Sequence, residues 1–434
     1  MRAFIQEDSI AGGIFPVQDF AGEFRNKYIK LWWETSTDMP VAGEEKAKAL
    51  KSVKEKQTDI FIRNMAQKLK ALPAPGLEQV SWREGFKKST RKFARETLGF
   101  SEEYLDIVFG EGFIKSTSSF VKQARNFAPE MKLEDIFQAI RNVWIMNSLQ
   151  AFTGLDIGYS NPIFAYSMLY PYTDNYLDST DIEYVEKAEI SSRFRRCLAG
   201  DTVAPSSKYE KDIFTLVQMI EEEYPREKYP HIYESLLGIH DAQQNSLQQQ
   251  CRRSSPYERD ILGISFQKGG MSVLTDAFLV GGRLTVEEAD FAFGFGIILQ
   301  LADDLQDVNT DAENGHMTIF SQIAGKWPLD AITNRLMNFI SKVMDSSGCL
   351  ESSVSLNMKS LIKYNCNFLI HQAIAKNRKL FTAEYINEIS KYSIYSYKYL
   401  RKLYDKLRKE YVFFEKGRRG SSLDDTVHTI IDNL

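Results

Sequence analysis

The stretch Phe291–Phe320, FAFGFGIILQLADDLQDVNTDAENGHMTIF, decides how the rest of the chain is read. It opens as an almost unbroken apolar run, hydrophobic on every side of a helix, and such a helix belongs in a core. It then places Asp303, Asp304 and Asp307 at its far end. At helical pitch Asp303 and Asp307 stand one above the other, so both carboxylates point the same way. Hard oxygen ligands with no His or Cys beside them suit Mg²⁺, which takes one or two carboxylates and completes its shell with water and substrate phosphate. The plain alternative is a solvated helix end. A calcium loop is excluded by spacing: counted from Asp307, the sixth position is Ala312 rather than Gly and the twelfth is Thr318 rather than Glu.

Around this stretch the chain has 434 residues, 43% hydrophobic and 26% charged. That is ordinary globular composition, long enough for one large domain or two to three smaller ones. A net charge of −4, with no basic tract carrying interleaved aromatics, weighs against a general nucleic-acid binder. The first residues lack the pattern of a secretory signal, and no segment reaches ~18 consecutive apolar residues, so no membrane span is expected. Cys197, Cys251, Cys349 and Cys366 are scattered without a CxxC pair and read as reduced thiols of a cytoplasmic protein. The histidines are equally dispersed, which leaves no obvious zinc site.

Working outward, residues 1–42 show weak periodicity and are expected to form an irregular lead-in to one all-α domain, 43–434. From Glu44 to Leu72 apolar residues recur at three- and four-residue steps and predict an amphipathic helix, closed by Pro73-Ala74-Pro75-Gly76. Further helices are predicted over roughly 81–98, 113–127 and 133–152. The last is apolar nearly all round, with Arg141, Asn142, Asn147 and Gln150 as polar groups needing partners, either structural or at a site. Asn161-Pro162 opens another apolar helix, which Pro171 kinks or restarts. That helix ends in Thr173-Asp174-Asn175-Tyr176-Leu177-Asp178, where Asp174 and Asp178 again share a face. Asp181 follows. Arg193, Arg195 and Arg196 then form a basic run, a solvated helix face or a ligand contact.

Lys268 precedes Gly269-Gly270 on a mostly apolar helix, so its ammonium either meets an anion or snorkels to water. The two glycines allow ligand or backbone to approach closely. Thr285 and Glu288 have capping-box spacing for the helix that carries the acids. Helical periodicity continues to about Phe414, and Asp424-Asp425 read as charge favoured at a helix N-terminus. Strand signals are few, and no GxGxxG, P-loop, GxSxG or HExxH is present. The expected fold is all-α, a single large helical bundle. Two acid clusters on facing helices would make a cup that needs divalent cations, and those cations would hold a diphosphate with Lys268 as a further positive arm.

Residues 268–320 resemble the second half of the class I isoprenoid synthase fold. Lys268 matches the diphosphate-binding lysine of trans-prenyl diphosphate synthases, ILQLADDLQDVNTD their second aspartate-rich motif, and GHMTIF the GKxT segment after it. TDNYLD occupies the place of the first aspartate-rich motif. The pattern departs from chain-elongating enzymes at Asp174-Asn175, in the lack of an Arg-Arg pair directly after, and at His316. DNYLD together with KGGMSV is similar to bacterial terpene synthases of prenyltransferase-like fold, the large terpene synthase or tetraprenyl-β-curcumene synthase type. The resemblance implies an isoprenoid synthase bundle and a Mg²⁺-dependent terpene cyclase acting on a linear allylic prenyl diphosphate of C15 to C25. It further implies three Mg²⁺ held by Asp174, Asp178, Asp303, Asp304 and Asp307, diphosphate bound by Lys268 with Arg193 as an additional contact, and a homodimer. The rivals are a trans-prenyltransferase, including the squalene/phytoene type, and a helical binding protein without turnover.

Overall fold

The computed structural model describes residues 17–40, 44–71, 73, 77–178, 182–251, 254–255, 257–346, 350–403 and 405–406. Among them the chain is all-α, with sixteen helices and one isolated strand-like bridge, Gln250 to His316. Among the described residues no helix is long and apolar enough to cross a membrane.

The centre is an antiparallel pair, α11 (Ile261–Gly281) and α12 (Val286–Gln306). Both are apolar on every face, which is why other helices surround them. They touch backbone to backbone: a Cβ at Gly296 would lie 2.0 Å from Gly269 O, and one at Gly270 would meet the Phe293 ring at 2.5 Å. Of the two readings open for Gly269-Gly270, the structure shows close approach of backbone, from α12. Thr285 starts α12 with the expected capping box, its side chain accepting from Glu288 N at 3.1 Å while the Glu288 carboxylate accepts from Thr285 N at 2.9 Å.

Around this pair pack α6 (Leu133–Thr153), α7 (Asn161–Asp178), α10 (Pro230–Ser246), α14 (Asp330–Ser346) and α15 (Ser353–Lys376). Pro171 lies inside α7 without ending it.

The expectation of an irregular lead-in over 1–42 is corrected for the part the structure describes, while residues 1–16 and 41–42 lie outside the described residues. Val17–Glu34 forms helix α1, and its Tyr28 and Trp32 are buried against α11, α12 and α14. Tyr28 stacks on Phe293, while Trp32 meets Phe266 and Phe339 edge-on. Burying rings of this size stabilises by about 2–3 kcal/mol each. Val17, Ala21, Phe24, Tyr28 and Trp32 do recur at three- and four-residue steps. The helical signal was therefore present, diluted by the polar residues between them.

Helices α2 (Lys48–Lys70) and α3 (Leu77–Phe93) make a peripheral hairpin with its own small core of Met65, Leu69 and Phe86. A π-helical turn, Ala94–Leu98, leads from it through α4 (Glu102–Val108) to α5 (Glu111–Phe127). On the other side of α7 lie α8 (Tyr184–Ala199) and α9 (Lys208–Glu223). The short helices α13 (Val308–Asn314) and α16 (Ala383–Ile389) complete the set.

Candidate functional site

Helix α12 ends at Gln306 and α13 begins at Val308, with Asp307 at the junction. The backbone stays near-helical across the joint: Asp307 N donates to Asp303 O at 3.0 Å and Asp311 N to Asp307 O at 2.8 Å. Asp303, Asp307 and Asp311 therefore succeed one another at four-residue steps along one face. Asp303 and Asp307 are exposed, Asp311 is half-buried, and Asp304 turns inward to 5% exposure.

Asp304 accepts from Gln300 Nε2 at 2.8 Å and, weakly, from Ser265 Oγ at 3.4 Å. Burial pushes its pKa up to about 7, Asp303 adds to the rise, and the Gln300 hydrogen bond and Lys268 oppose it. Asp311 is pushed up to about 8, first by burial and then by Asp304, Asp307 and Asp303, again with Lys268 opposing. Lys268 on α11 thus sits within electrostatic reach of this cluster, as the sequence led one to expect. Asp311 is the residue the sequence reading passed over. Continuing the four-residue step from Asp303 through Asp307 would have found it.

The segment after the acids is tied back to α11. Met317 N donates to Gln249 O at 2.7 Å, and Gln249 Nε2 donates to both Ser265 Oγ and Met317 O at 3.1 Å. Ser265 in turn reaches Asp304. His316 N donates to Asp311 O at 2.8 Å and closes the same turn.

Asp174 and Asp178 occupy the last turns of α7, but their side chains lie outside the described set, as does Asp181. The placement of that helix end can still be read. At one end of α9, Tyr224 donates to Leu279 O near the end of α11 at 3.0 Å. At the other end of α9, Tyr209 stacks on Tyr176 of α7 at 4.4 Å and donates to Tyr172 O at 3.1 Å. The final turns of α7 therefore lie away from Leu279, at the end of the bundle where α11 begins and Asp304 sits.

Arg193 is not free. Glu210, fully buried, takes its guanidinium in two contacts of 2.6 and 3.1 Å, and Arg193 holds the Glu210 carboxyl down at about 2. Three of the four polar residues noted on α6 also have structural partners, and the fourth, Arg141, is exposed. Asn142 donates to Asp276 Oδ1 at 2.9 Å and Ser167 Oγ at 3.2 Å, Asn147 accepts from Ser116 at 3.0 Å, and Gln150 accepts from Gly158 N at 3.2 Å. A small cavity lined by Tyr166, Leu169, Phe194, Leu236, Ile239 and His240 measures about 20 Å³. That is far below the several hundred Å³, roughly, that a ligand of prenyl size needs.

Among the described residues no three His, Cys, Asp or Glu side chains are drawn together to chelate a metal ion. Carboxyls near enough to raise one another's pKa repel one another. The donor set, all oxygen with one ammonium beside it, fits a hard divalent cation. Compared with models of protein families, with curated proteins and with solved structures, the chain finds no match.

Proposed function

We propose that this protein is a class I terpene cyclase that ionises a linear allylic prenyl diphosphate at the Asp304 end of the bundle. The observation that supports the reading most is the juxtaposition of Asp303, Asp304, Asp307 and Asp311 with Lys268, two of the acids being pushed to about 7 and 8. Such a cluster is costly unless a cation joins it, and Mg²⁺ bound there would act as a Lewis acid on the departing diphosphate. Asp303, Asp304 and Asp307 would hold the ions together with Asp174 and Asp178, and Lys268 would bind the diphosphate oxygens. In this reading Arg193 stays with Glu210. The hydrocarbon tail would enter by parting α7 from α8 and α10, where the cavity is now only about 20 Å³.

That closed space favours a second reading, a helical binding protein without turnover. The test incubates the full chain with Mg²⁺ and prenyl diphosphates of C10 to C25, with and without isopentenyl diphosphate, and analyses extracts by mass spectrometry. A cyclic hydrocarbon from one substrate alone, lost in Asp303→Ala, supports the cyclase. A longer linear product that needs isopentenyl diphosphate makes it a prenyltransferase, and inertness throughout favours the second reading.

A further inference from the structure

Charge is spread unevenly over this molecule. From Lys48 to Leu98, the α2–α3 hairpin and its π-helical turn, thirteen Lys and Arg face five Asp and Glu, a net of +8, whereas the whole chain carries −4. Some of these cations are occupied: Arg91 pairs with Glu102 and Asp106, Arg95 with Glu102, and Lys68 donates to Gly85 O. Lys56, Lys88 and Lys92 are exposed, with no ion-pair partner among the described residues.

Apolar side chains stand among them. On α2, Val53, Lys56, Ile60 and Arg63 follow at three- and four-residue steps and are all exposed, Val53 at 50% and Ile60 at 49%. They form one solvent-facing stripe that alternates aliphatic and cationic groups. A groove of about 710 Å³ opens beside it, lined by Ile60, Phe61, Met65 and Phe93 together with Lys68 and Lys92. Ile60 belongs to both stripe and groove, and Lys92 of α3 lines the same groove, so these features share a side of the hairpin.

We propose that the α2–α3 hairpin is a docking surface for an anionic phospholipid bilayer. It would lie in the headgroup plane, Val53, Ile60 and the groove meeting acyl chains and Lys56, Lys88 and Lys92 meeting lipid phosphates. Charge complementarity selects an anionic partner. The exposed aliphatic groups between the cations, Val53 and Ile60, select a bilayer over a nucleic acid, because acyl chains take up such side chains and a phosphate backbone does not. This inference stands independently of the cyclase reading.

The test is co-sedimentation of the full chain with phosphatidylglycerol/phosphatidylcholine vesicles, and with phosphatidylcholine vesicles alone, at low and high salt. Binding is expected to be at least about ten-fold stronger on the anionic vesicles and to weaken with salt. Each cation removed should cost about five-fold, so Lys56→Glu, Lys88→Glu and Lys92→Glu together should lower partitioning by more than about 100-fold. Val53→Ser with Ile60→Ser should lower it about ten-fold. All five side chains are exposed, and circular dichroism should show the fold of both variants unchanged. Equal binding to neutral vesicles, or no sedimentation, would overturn the proposal. So would binding that ignores the serine pair and is competed away by a nucleic-acid duplex, which would make the hairpin a nucleic-acid surface.

Discussion

Asp276 and Asp304 are both buried carboxyls on the central helix pair, yet they keep different company. Asp276, in the middle of α11, is fully buried; Asn142 donates to its Oδ1, and its Oδ2 has no hydrogen-bond partner among the described residues. Burial raises its pKa well above the carboxylate range, with only the Asn142 bond opposing. Burial favours its protonated form, and Asn142 is the neutral donor beside it. Asp304 is raised to a similar end by burial and by Asp303, with Lys268 close by and Asp311 beyond. An isolated acid settles its charge by keeping its proton, and nothing more is required of it. A crowded set of acids can lose protons together if a cation arrives, and that capacity separates a candidate site from a structural polar contact.

The largest expected effect breaks the comparison outright. Asp304→Asn should lower turnover of the prenyl diphosphate by about 10³-fold, while Asp276→Asn should leave it within about three-fold. Steady-state diphosphate release measures both. If Asp276→Asn proved as damaging as Asp304→Asn, the acid in mid-helix would belong to the chemistry.

Next comes the contact that holds both helices in place. Gly296→Ala puts a Cβ where Gly269 O already stands, and neither backbone can step aside, so a loss of about 3 kcal/mol is expected in denaturant unfolding. Gly22→Ala is the control, since nothing lies within 4 Å of its Cβ position.

A smaller effect falls on the neutral acid. Asn142→Ala removes the donor to Asp276 and leaves a buried acid without its partner, at a cost of about 2 kcal/mol. Activity per folded molecule should be unchanged.

The subtlest prediction concerns pH. The folded pKa values of Asp304 and Asp311, about 7 and 8, lie above the ordinary 3.8, so between these limits the folded state binds more protons than the unfolded. Stability due to these groups is present at low pH and is lost as pH rises from about 4 toward 8. Without metal, Tm should fall by a few degrees between pH 5 and 8, and Mg²⁺ should restore it at pH 8 by discharging the cluster. Asp276 contributes a decline of the same sign that Mg²⁺ cannot reverse. A Tm indifferent to Mg²⁺ at pH 8 would show that the crowded acids do not gather a cation.

Much of this contrast was legible in the sequence, and the limits have physical causes. The all-α class follows from helical periodicity, whereas the nearness of Lys268 to the acids is a tertiary fact that spacing alone does not give and that the resemblance suggested. Asp276 drew no notice because one acid inside an apolar run carries no periodic signal, and its partner, Asn142, comes from another helix. Asn142 was recognised as needing a partner, but its identity is a tertiary fact. Helix α1 was lost for the opposite reason: its buried face is narrow, and polar residues outnumber the apolar ones that dock it. The close crossing at Gly296 was invisible because a glycine in an apolar run says only that something comes near.

The claim on which the account rests is that α7 and α12 aim their acids at one cation site beside Lys268. The direct measurement is anomalous diffraction from crystals grown with Mn²⁺ and a non-ionisable prenyl thiolodiphosphate. The account predicts manganese peaks between the last turn of α7 and the Asp303–Asp307 face, with the diphosphate against Lys268. Ordered diphosphate elsewhere, or manganese that ignores both Asp303 and Asp307, would contradict it.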